Sequence, residues 1–192
     1  MKRSQVVALV VLLVVVAAGF WYFRRGGVSR TVLALTDLYP AAYAAGDART
    51  NIEPREAAFR LEDVTLAGEA HKAIYMAPTS RITFRRVAIP ENASLRVWLG
   101  LKEEAWTQST DGALFRFGVS DGRTYDELVK QHVDPLHNAS DRRWIPVTVD
   151  LSAYAGQEVD LIFNTNASLP GRGDDNRFDF AVWGDPEIFI GR

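Results

Sequence analysis

The sequence predicts an all-β domain, an antiparallel β-sandwich of jelly-roll type, preceded by one N-terminal transmembrane helix. Three observations predict this architecture. Apolar residues alternate with polar ones along residues 52–192, in short segments separated by turn residues. No long amphipathic helical pattern stands between these segments, as expected of a sandwich. An uncharged, mostly apolar stretch at residues 6–23 precedes them.

The stretch 6–23 is the predicted membrane anchor. Its 18 residues would span about 27 Å as a helix, close to the thickness of a thin hydrocarbon core. Four aromatic residues, 20–23, close the stretch, and Arg24–Arg25 follow at the level of the lipid headgroups. A secretory signal peptide cleaved after the small residues Val16–Ala18 is the competing interpretation, and a buried core helix is the third.

The topology follows from the anchor. Basic residues flank it on both sides, so the positive-inside count is nearly balanced. We expect residues 1–5 to form a short cytoplasmic tail, with the C-terminal domain outside the cytoplasm, as in a single-pass signal-anchor protein. We expect residues 24–51 to form a juxtamembrane helix and linker, because apolar residues recur at helical spacing from Val28 to Tyr39 before Pro40 interrupts them.

About eight strands are predicted in the domain at 52–192. The clearest segments are SRITFRRVAIP, ASLRVWLGLK, ALFRFGVS, WIPVTVDL, EVDLIF, FDFAVW and EIFIG. Asp121-Gly122 predicts a hairpin turn. Trp98 and Trp144 lie in strand patterns and are interpreted as structural or edge residues. The Gly-Asp-Pro that follows Trp183 is expected to break its strand, with the indole packed at the closing corner of the sandwich.

The charge distribution excludes one class of partner. The formal net charge of −2 hides five basic and no acidic side chains in residues 1–30, which leaves 17 basic against 24 acidic groups in the remainder. An acidic body argues against nucleic acid as a partner. The chain has no cysteine, so disulfides, thiolate metal sites and a cysteine nucleophile are excluded.

The sequence contains no recognisable catalytic motif. It has no Gly-x-Ser-x-Gly, no glycine-rich phosphate loop and no His-Glu-x-x-His, and its paired carboxylates lie in polar surroundings. His132 and His137 match no zinc spacing and are expected to be solvated loop residues. We therefore predict that the protein is not an enzyme, with a hydrolase of unrecognised site as the alternative.

Two loops hold the candidate binding residues. Trp106, between two predicted strands, could stack on a sugar ring or fold back as a lid on the core. In the polar loop NTNASLPGRGDDNRFDF, Arg172 and Asp175 are further candidate ligand contacts. Asp174 and Asp179 could bind a structural calcium ion, the one cofactor considered, although the spacing is not that of an EF-hand. A solvated loop is the other interpretation.

Two quoted stretches carry a family resemblance. "DRRWIPVTVDLSAYAGQEVDLIFNTN" and "FDFAVWGDPEIF" resemble galactose-binding-like β-sandwich domains, in which Trp and Asp-Leu-Ser-x-Tyr-Ala-Gly-Gln precede a core strand and Ala-x-Trp-Gly-Asp-Pro closes the sheet. The resemblance covers roughly residues 60–190. Such domains resemble carbohydrate-binding modules and occur as ancillary domains beside bacterial sulfatases and membrane glycosyltransferases.

The resemblance implies a carbohydrate ligand and an enzyme of the cell envelope as partner. In the relatives a catalytic domain often follows, whereas this chain ends at Arg192. We therefore expect either a stand-alone anchored module or an enzyme on another chain. The alternative function is a protein-interaction or scaffolding domain of the envelope that docks through a sheet face.

Overall fold

The computed structural model describes residues 29–167 and 176–191, which form two antiparallel sheets packed face to face. The strands are β1 Arg30–Ala34, β2 Ala48–Thr50, β3 Phe59–Leu66, β4 Glu69–Met76, β5 Ser80–Ala88, β6 Ala93–Leu101, β7 Ala113–Ser120, β8 Tyr125–Val133, β9 Ile145–Asp150, β10 Glu158–Asn166 and β11 Ala181–Ile190. The helices are α1 Leu35–Ala44 and α2 Arg55–Ala58, and 3-10 turns lie at Glu103–Thr107, Ala139–Asp141 and Ser152–Tyr154.

The strand order confirms the predicted β-sandwich. The first sheet has the order β3-β4-β11-β6-β9, with β1 also paired to β11, and the second has the order β2-β5-β10-β7-β8. Neighbouring strands run antiparallel throughout. Because side chains alternate along each strand, each sheet turns one set inward and presents the other set on its outer face.

The core between the sheets is aromatic and centred on Trp183. This tryptophan is 0% exposed, and its ring lies 5.0 Å from Phe115 and 4.9 Å from Phe163 between centroids. Its Nε1 donates a hydrogen bond to Thr165 Oγ1 at 3.0 Å, so burial leaves the indole N–H paired. The prediction of a packed indole is confirmed.

The segment 24–51 differs from the predicted helix and linker. Residues 30–34 form β1 on the first sheet, α1 packs Leu35 and Tyr39 into the core, and β2 extends the second sheet. The described part of the segment therefore belongs to the sandwich. Among the described residues, the helical spacing corresponds to a helix only at α1. The strand β1 forms because it pairs with β11, which lies far along the chain, so the local spacing did not indicate it.

The membrane predictions fall on undescribed residues. The tail at 1–5 and the anchor at 6–23 lie outside the part of the chain that the structure describes. Among the residues that are described, no helix has the length and apolar character needed to cross a membrane.

The Gly-Asp-Pro sequence does not end its strand. Strand β11 continues through it, and the pairing register with β6 shifts between Gly184 and Glu187. Asp185 lies inside this shift with a positive φ of 36°. The sequence therefore forms a β-bulge, which tolerates a proline because a bulged residue is not required to donate to the ladder.

Strand β8 is the second strand of the hairpin that Asp121-Gly122 predicted, although its own residues did not indicate a strand. His132 lies on it, contrary to the predicted loop, while His137 does lie in an exposed turn, with its Nδ1 2.8 Å from Asp134 Oδ2. Strand β8 is an edge strand with most of its side chains exposed. Edge strands of this kind carry little apolar alternation, so pattern alone does not find them.

Candidate functional site

A second apolar cluster lies on the outer face of the first sheet. Its buried members are Val64, Leu66, Ala73, Tyr75, Trp144 and Val182. Trp98 and Trp106 are partly buried against it. Because this face carries several aromatic rings that are not part of the core between the sheets, it is the natural place to look for a ligand site.

Trp98 stands on this face because of the alternation along β6. Its neighbours Val97 and Leu99 are buried in the core, so the indole points to the opposite side, where it is half-buried. The ring stacks on His71 with centroids 4.5 Å apart and planes inclined by 30°. His71 in turn meets Trp144 edge-on at 5.0 Å. Glycine at 184 leaves the room for this stack, since an added Cβ there would lie 3.0 Å from the ring of Trp144.

Two carboxylates fix the ring of His71. Its Nδ1 lies 2.7 Å from Asp185 Oδ2, and its Nε2 lies 3.0 Å from Glu69 Oε1. The other oxygen of Asp185 accepts a hydrogen bond from the backbone N–H of Lys72 at 3.2 Å. The bulge in β11 places Asp185 for both contacts. The imidazole is therefore held in one orientation behind Trp98.

A pocket of about 240 Å³ opens beside Trp98. It is lined by Ala34, Thr36, Arg96, Trp98, Asp185, Pro186 and Glu187, and we call it the Trp98 pocket. Arg96 donates from Nε to Glu187 Oε1 at 2.8 Å, and its guanidinium carbon lies 5.4 Å from the centroid of the Trp98 ring. Thr31 Oγ1 donates to Glu187 Oε2 at 2.6 Å. The pocket thus joins an indole to two carboxylates and a guanidinium that contacts within the protein already hold in place.

The arrangement is suited to binding rather than to proton transfer. Although the pair of His71 and Asp185 resembles part of a catalytic triad, both ring nitrogens of His71 face carboxylate oxygens. The nitrogen that a general base would turn toward a nucleophile, Nε2, contacts Glu69 here. The pocket has one aromatic wall, formed by Trp98, and is otherwise lined in part by charged side chains.

The structure places Trp106 apart from the Trp98 pocket lining. Its Nε1 donates to the carbonyl oxygen of Leu101 at 2.9 Å, and its ring packs against the second apolar cluster. The ring therefore folds back against the outer face of the first sheet, not against the core between the sheets. A role of Trp106 as a ligand contact remains a prediction.

The predicted metal and loop residues fall in two groups. Arg172, Asp174 and Asp175 lie outside the described residues. Asp179 is described and is 2% exposed, and its Oδ1 accepts a hydrogen bond from Thr110 Oγ1. Within the described residues, no three His, Asp or Glu side chains come close enough together to hold a metal ion. The calcium site therefore remains a prediction.

The sequence contained the signal for Trp98. Val97 and Leu99 alternate with Arg96 and Trp98 along the sequence, so a period of two places Arg96 and Trp98 together on the face opposite Val97 and Leu99. Nothing in the sequence, however, indicated the partners. His71, Asp185 and Glu187 come from two other strands, and their approach depends on the order of strands in the sheet.

The chain matches no family model. An uncharacterized protein of Archaeoglobus fulgidus is 41% identical over 111 residues, which are 57% of this chain and 27% of that protein. The chain thus spans about a quarter of that relative.

Several solved structures of carbohydrate-binding modules are similar to the chain. The CBM51-2 and INT domains of ZmpB from Clostridium perfringens align over 85% of this chain and 29% of that chain, with 11% identity and a TM-score of 0.49. The CBM51 module of GH95 from the same organism, in complex with methyl-galactose, aligns over 73% and 91%, with 16% identity and a TM-score of 0.49. The CBM22-1 xylan-binding domain of Xyn10C from Paenibacillus barcinonensis aligns over 76% and 85%, with 13% identity and a TM-score of 0.41. At these identities and TM-scores, the likeness says nothing about what this chain binds.

Proposed function

We propose that the domain is a non-catalytic carbohydrate-binding module that holds a sugar ring in the Trp98 pocket. The observation that carries this proposal is the indole of Trp98 lining a pocket of about 240 Å³ together with the charged groups of Arg96, Asp185 and Glu187.

The chemistry of the lining fits a sugar. A pyranose has an apolar face of C–H groups, which packs on an indole, and a rim of hydroxyls, which both donate and accept hydrogen bonds. The carboxylates of Asp185 and Glu187 accept, and the guanidinium of Arg96 donates. The volume lies just below the range of about 300–1,000 Å³ that is usual for drug-sized ligands, so the pocket fits one ring rather than a folded oligosaccharide.

The rigidity of the pocket also favours binding. Trp98 stands on a central strand with its ring stacked on His71, and Glu187 is held by Thr31 and Arg96. Side chains that are fixed before the ligand arrives lose little conformational entropy when it binds. The ordering of these side chains therefore subtracts little from the binding free energy.

We propose further that residues 6–23 anchor this module in a membrane and hold it outside the cytoplasm. The 18 uncharged residues and their flanking arginines support this proposal. An envelope enzyme that acts on carbohydrate or sulfate esters is the proposed partner, because the resemblance at residues 60–190 is to ancillary domains found beside such enzymes.

A glycan-binding experiment tests the proposal. The full chain is purified in lauryldimethylamine oxide, because glucoside or maltoside detergents would compete for a sugar site, and is applied to a glycan array. Sugars that bind are then titrated by calorimetry against the unchanged protein and against Trp98→Ala and Glu187→Gln. We expect each variant to lose about tenfold in affinity, which corresponds to one stacking or charged contact.

The variant Trp106→Ala separates the pocket from the loop site predicted by the sequence. We expect it to bind as tightly as the unchanged protein. Loss of binding in Trp106→Ala with none in Trp98→Ala would transfer the site to the loop. An array on which no glycan binds would overturn the proposed function.

A further inference from the structure

A row of basic side chains crosses the outer face of the second sheet. In the pairing register, Arg49 stands opposite Arg81, Arg81 opposite Asn164, Asn164 opposite Arg116, and Arg116 opposite Lys130. Each of the five strands supplies one residue. We call Arg49, Arg81, Asn164, Arg116 and Lys130 the basic row.

All members of the basic row face away from the core. Their neighbours along the strands, Ile82, Phe163 and Phe117, are buried between the sheets. Because successive side chains on a strand point to opposite faces and residues in register share a face, the row lies on the outer surface. Two pairs in the row, Arg49–Arg81 and Arg116–Lys130, place like charges directly opposite each other, which lowers the stability of the free protein.

The positive charges of the row are largely unneutralised. Arg49, Arg81 and Lys130 are exposed. Within the described part of the chain, no carboxylate oxygen lies within 4.0 Å of their charged nitrogens. Arg116 is paired with Glu127, and Arg81 donates from Nε to Asn164 Oδ1 at 2.7 Å. An anionic ligand would relieve the repulsion that the row carries when it is empty.

An aromatic ring lies beside the row. Tyr125 is 40% exposed, and its ring covers Gly118, where an added Cβ would collide with it. Burial raises the pKa of the Tyr125 hydroxyl, the positive charges of Arg116 and Arg81 lower it, and the negative charge of Glu127 raises it. Gly118 stands two residues from Arg116 on β7, so the ring that covers it lies beside the row. The face therefore combines a flat ring with flanking cations.

We propose that this face binds an extended anionic polysaccharide, one whose sugars carry carboxylate or sulfate groups. The basic row meets the anionic groups, and Tyr125 packs on the face of one ring. Neighbouring strands lie about 4.8 Å apart, which is close to the length of one pyranose unit. Arg49 with Arg81, and Arg116 with Lys130, can therefore each meet successive sugars on either side of Asn164. This surface is on the opposite sheet from the Trp98 pocket and does not depend on it.

A glycan fits the surface better than the other common polyanions. The residues after 30 carry 17 basic and 24 acidic side chains, so long-range repulsion weakens the binding of every polyanion alike. The choice of a glycan therefore rests on the local chemistry of the face. Glu127, which pairs with Arg116, also borders the row. This carboxylate opposes any anionic group placed beside it, whereas it can accept hydrogen bonds from the hydroxyls that a polysaccharide carries between its charged groups.

The experiment compares dextran sulfate with neutral dextran of the same length, using the full chain in lauryldimethylamine oxide. The two polymers share a backbone and differ in charge. The variant Arg81→Gln/Lys130→Gln removes two charges of the row. The control Lys72→Gln/Arg143→Gln removes two exposed charges outside the second sheet. Thermal unfolding followed by circular dichroism checks that all variants are folded.

We expect the unchanged protein to bind dextran sulfate at least about tenfold more tightly than dextran, and more weakly as salt is raised. The row variant should lose about tenfold, at about threefold per exposed charge, and the control much less. Tyr125→Ala should also lose affinity, while Trp98→Ala should retain it.

Three outcomes would overturn the inference. The first is equal binding of the two polymers, and the second is an equal loss in the control variant. The third is binding of a single-stranded RNA as tight as that of dextran sulfate. Since Trp98→Ala is followed in the same assay, failure of the basic row and failure of the Trp98 pocket give different results.

Discussion

His71 Nδ1 lies 2.7 Å from Asp185 Oδ2, although the two residues are 114 positions apart in the sequence. The contact joins β4 to the bulge of β11 and fixes the imidazole on which Trp98 stacks. The contact therefore gives the Gly-Asp-Pro sequence a structural role. The bulge turns one carboxylate toward a neighbouring strand, where a regular strand would continue its alternation.

We expect Asp185→Ala to lower the free energy of unfolding by about 2 kcal/mol, because it leaves a ring nitrogen of His71 and the N–H of Lys72 without their acceptor. Urea denaturation measures the change. Asp63→Ala, which removes an exposed carboxylate from β3, is the control and should stay within about 0.5 kcal/mol of the unchanged protein. Equal stability of the two variants would show that the contact is not stabilising.

Trp183→Phe should be strongly destabilising, by about 2–4 kcal/mol. The substitution leaves a void in the core between Phe115 and Phe163 and removes the hydrogen bond to Thr165. Denaturant unfolding of Trp98→Phe provides the comparison, since that indole is only half-buried. A smaller cost at position 183 than at position 98 would contradict the assignment of Trp183 to the core.

Gly118→Ala should destabilise the second sheet and displace Tyr125. An added Cβ would meet the carbonyl oxygen of Asp126 and the ring of Tyr125, and such overpacking costs about 1–3 kcal/mol. Gly191→Ala is the control, because a Cβ there meets open space. The expected result is lower stability together with weaker binding of dextran sulfate. Unchanged affinity would indicate that Tyr125 does not contact the polymer.

Tyr39 should make stability fall at alkaline pH. Burial raises the pKa of its hydroxyl from 10.0 to about 12. Between these values the unfolded chain releases a proton that the folded protein keeps, so the free energy of unfolding decreases as pH rises through this window. Urea denaturation at about pH 9 and about pH 11.5 should show a smaller decrease for Tyr39→Phe. Identical decreases in both proteins would contradict a buried hydroxyl at this position.

How far the sequence could predict the sandwich is clear from individual strands. Strands β6, β7 and β10 have buried residues on one face and lie inside their sheets, so a period of two is legible in their residues. Strands β1 and β8 lie outside the main path or at an edge and expose much of their length. Whether these two segments join a sheet depends on a partner strand, so their own residues show little alternation.

The alternation of β6 by itself determined that Trp98 and Arg96 share a face of their strand. Only the tertiary structure decided what surrounds them. His71, Asp185 and Glu187 reach Trp98 because β4 and β6 both pair with β11, and the basic row exists because five strands align one residue each. Local sequence controls which way a side chain points, whereas the register between distant strands controls what it meets.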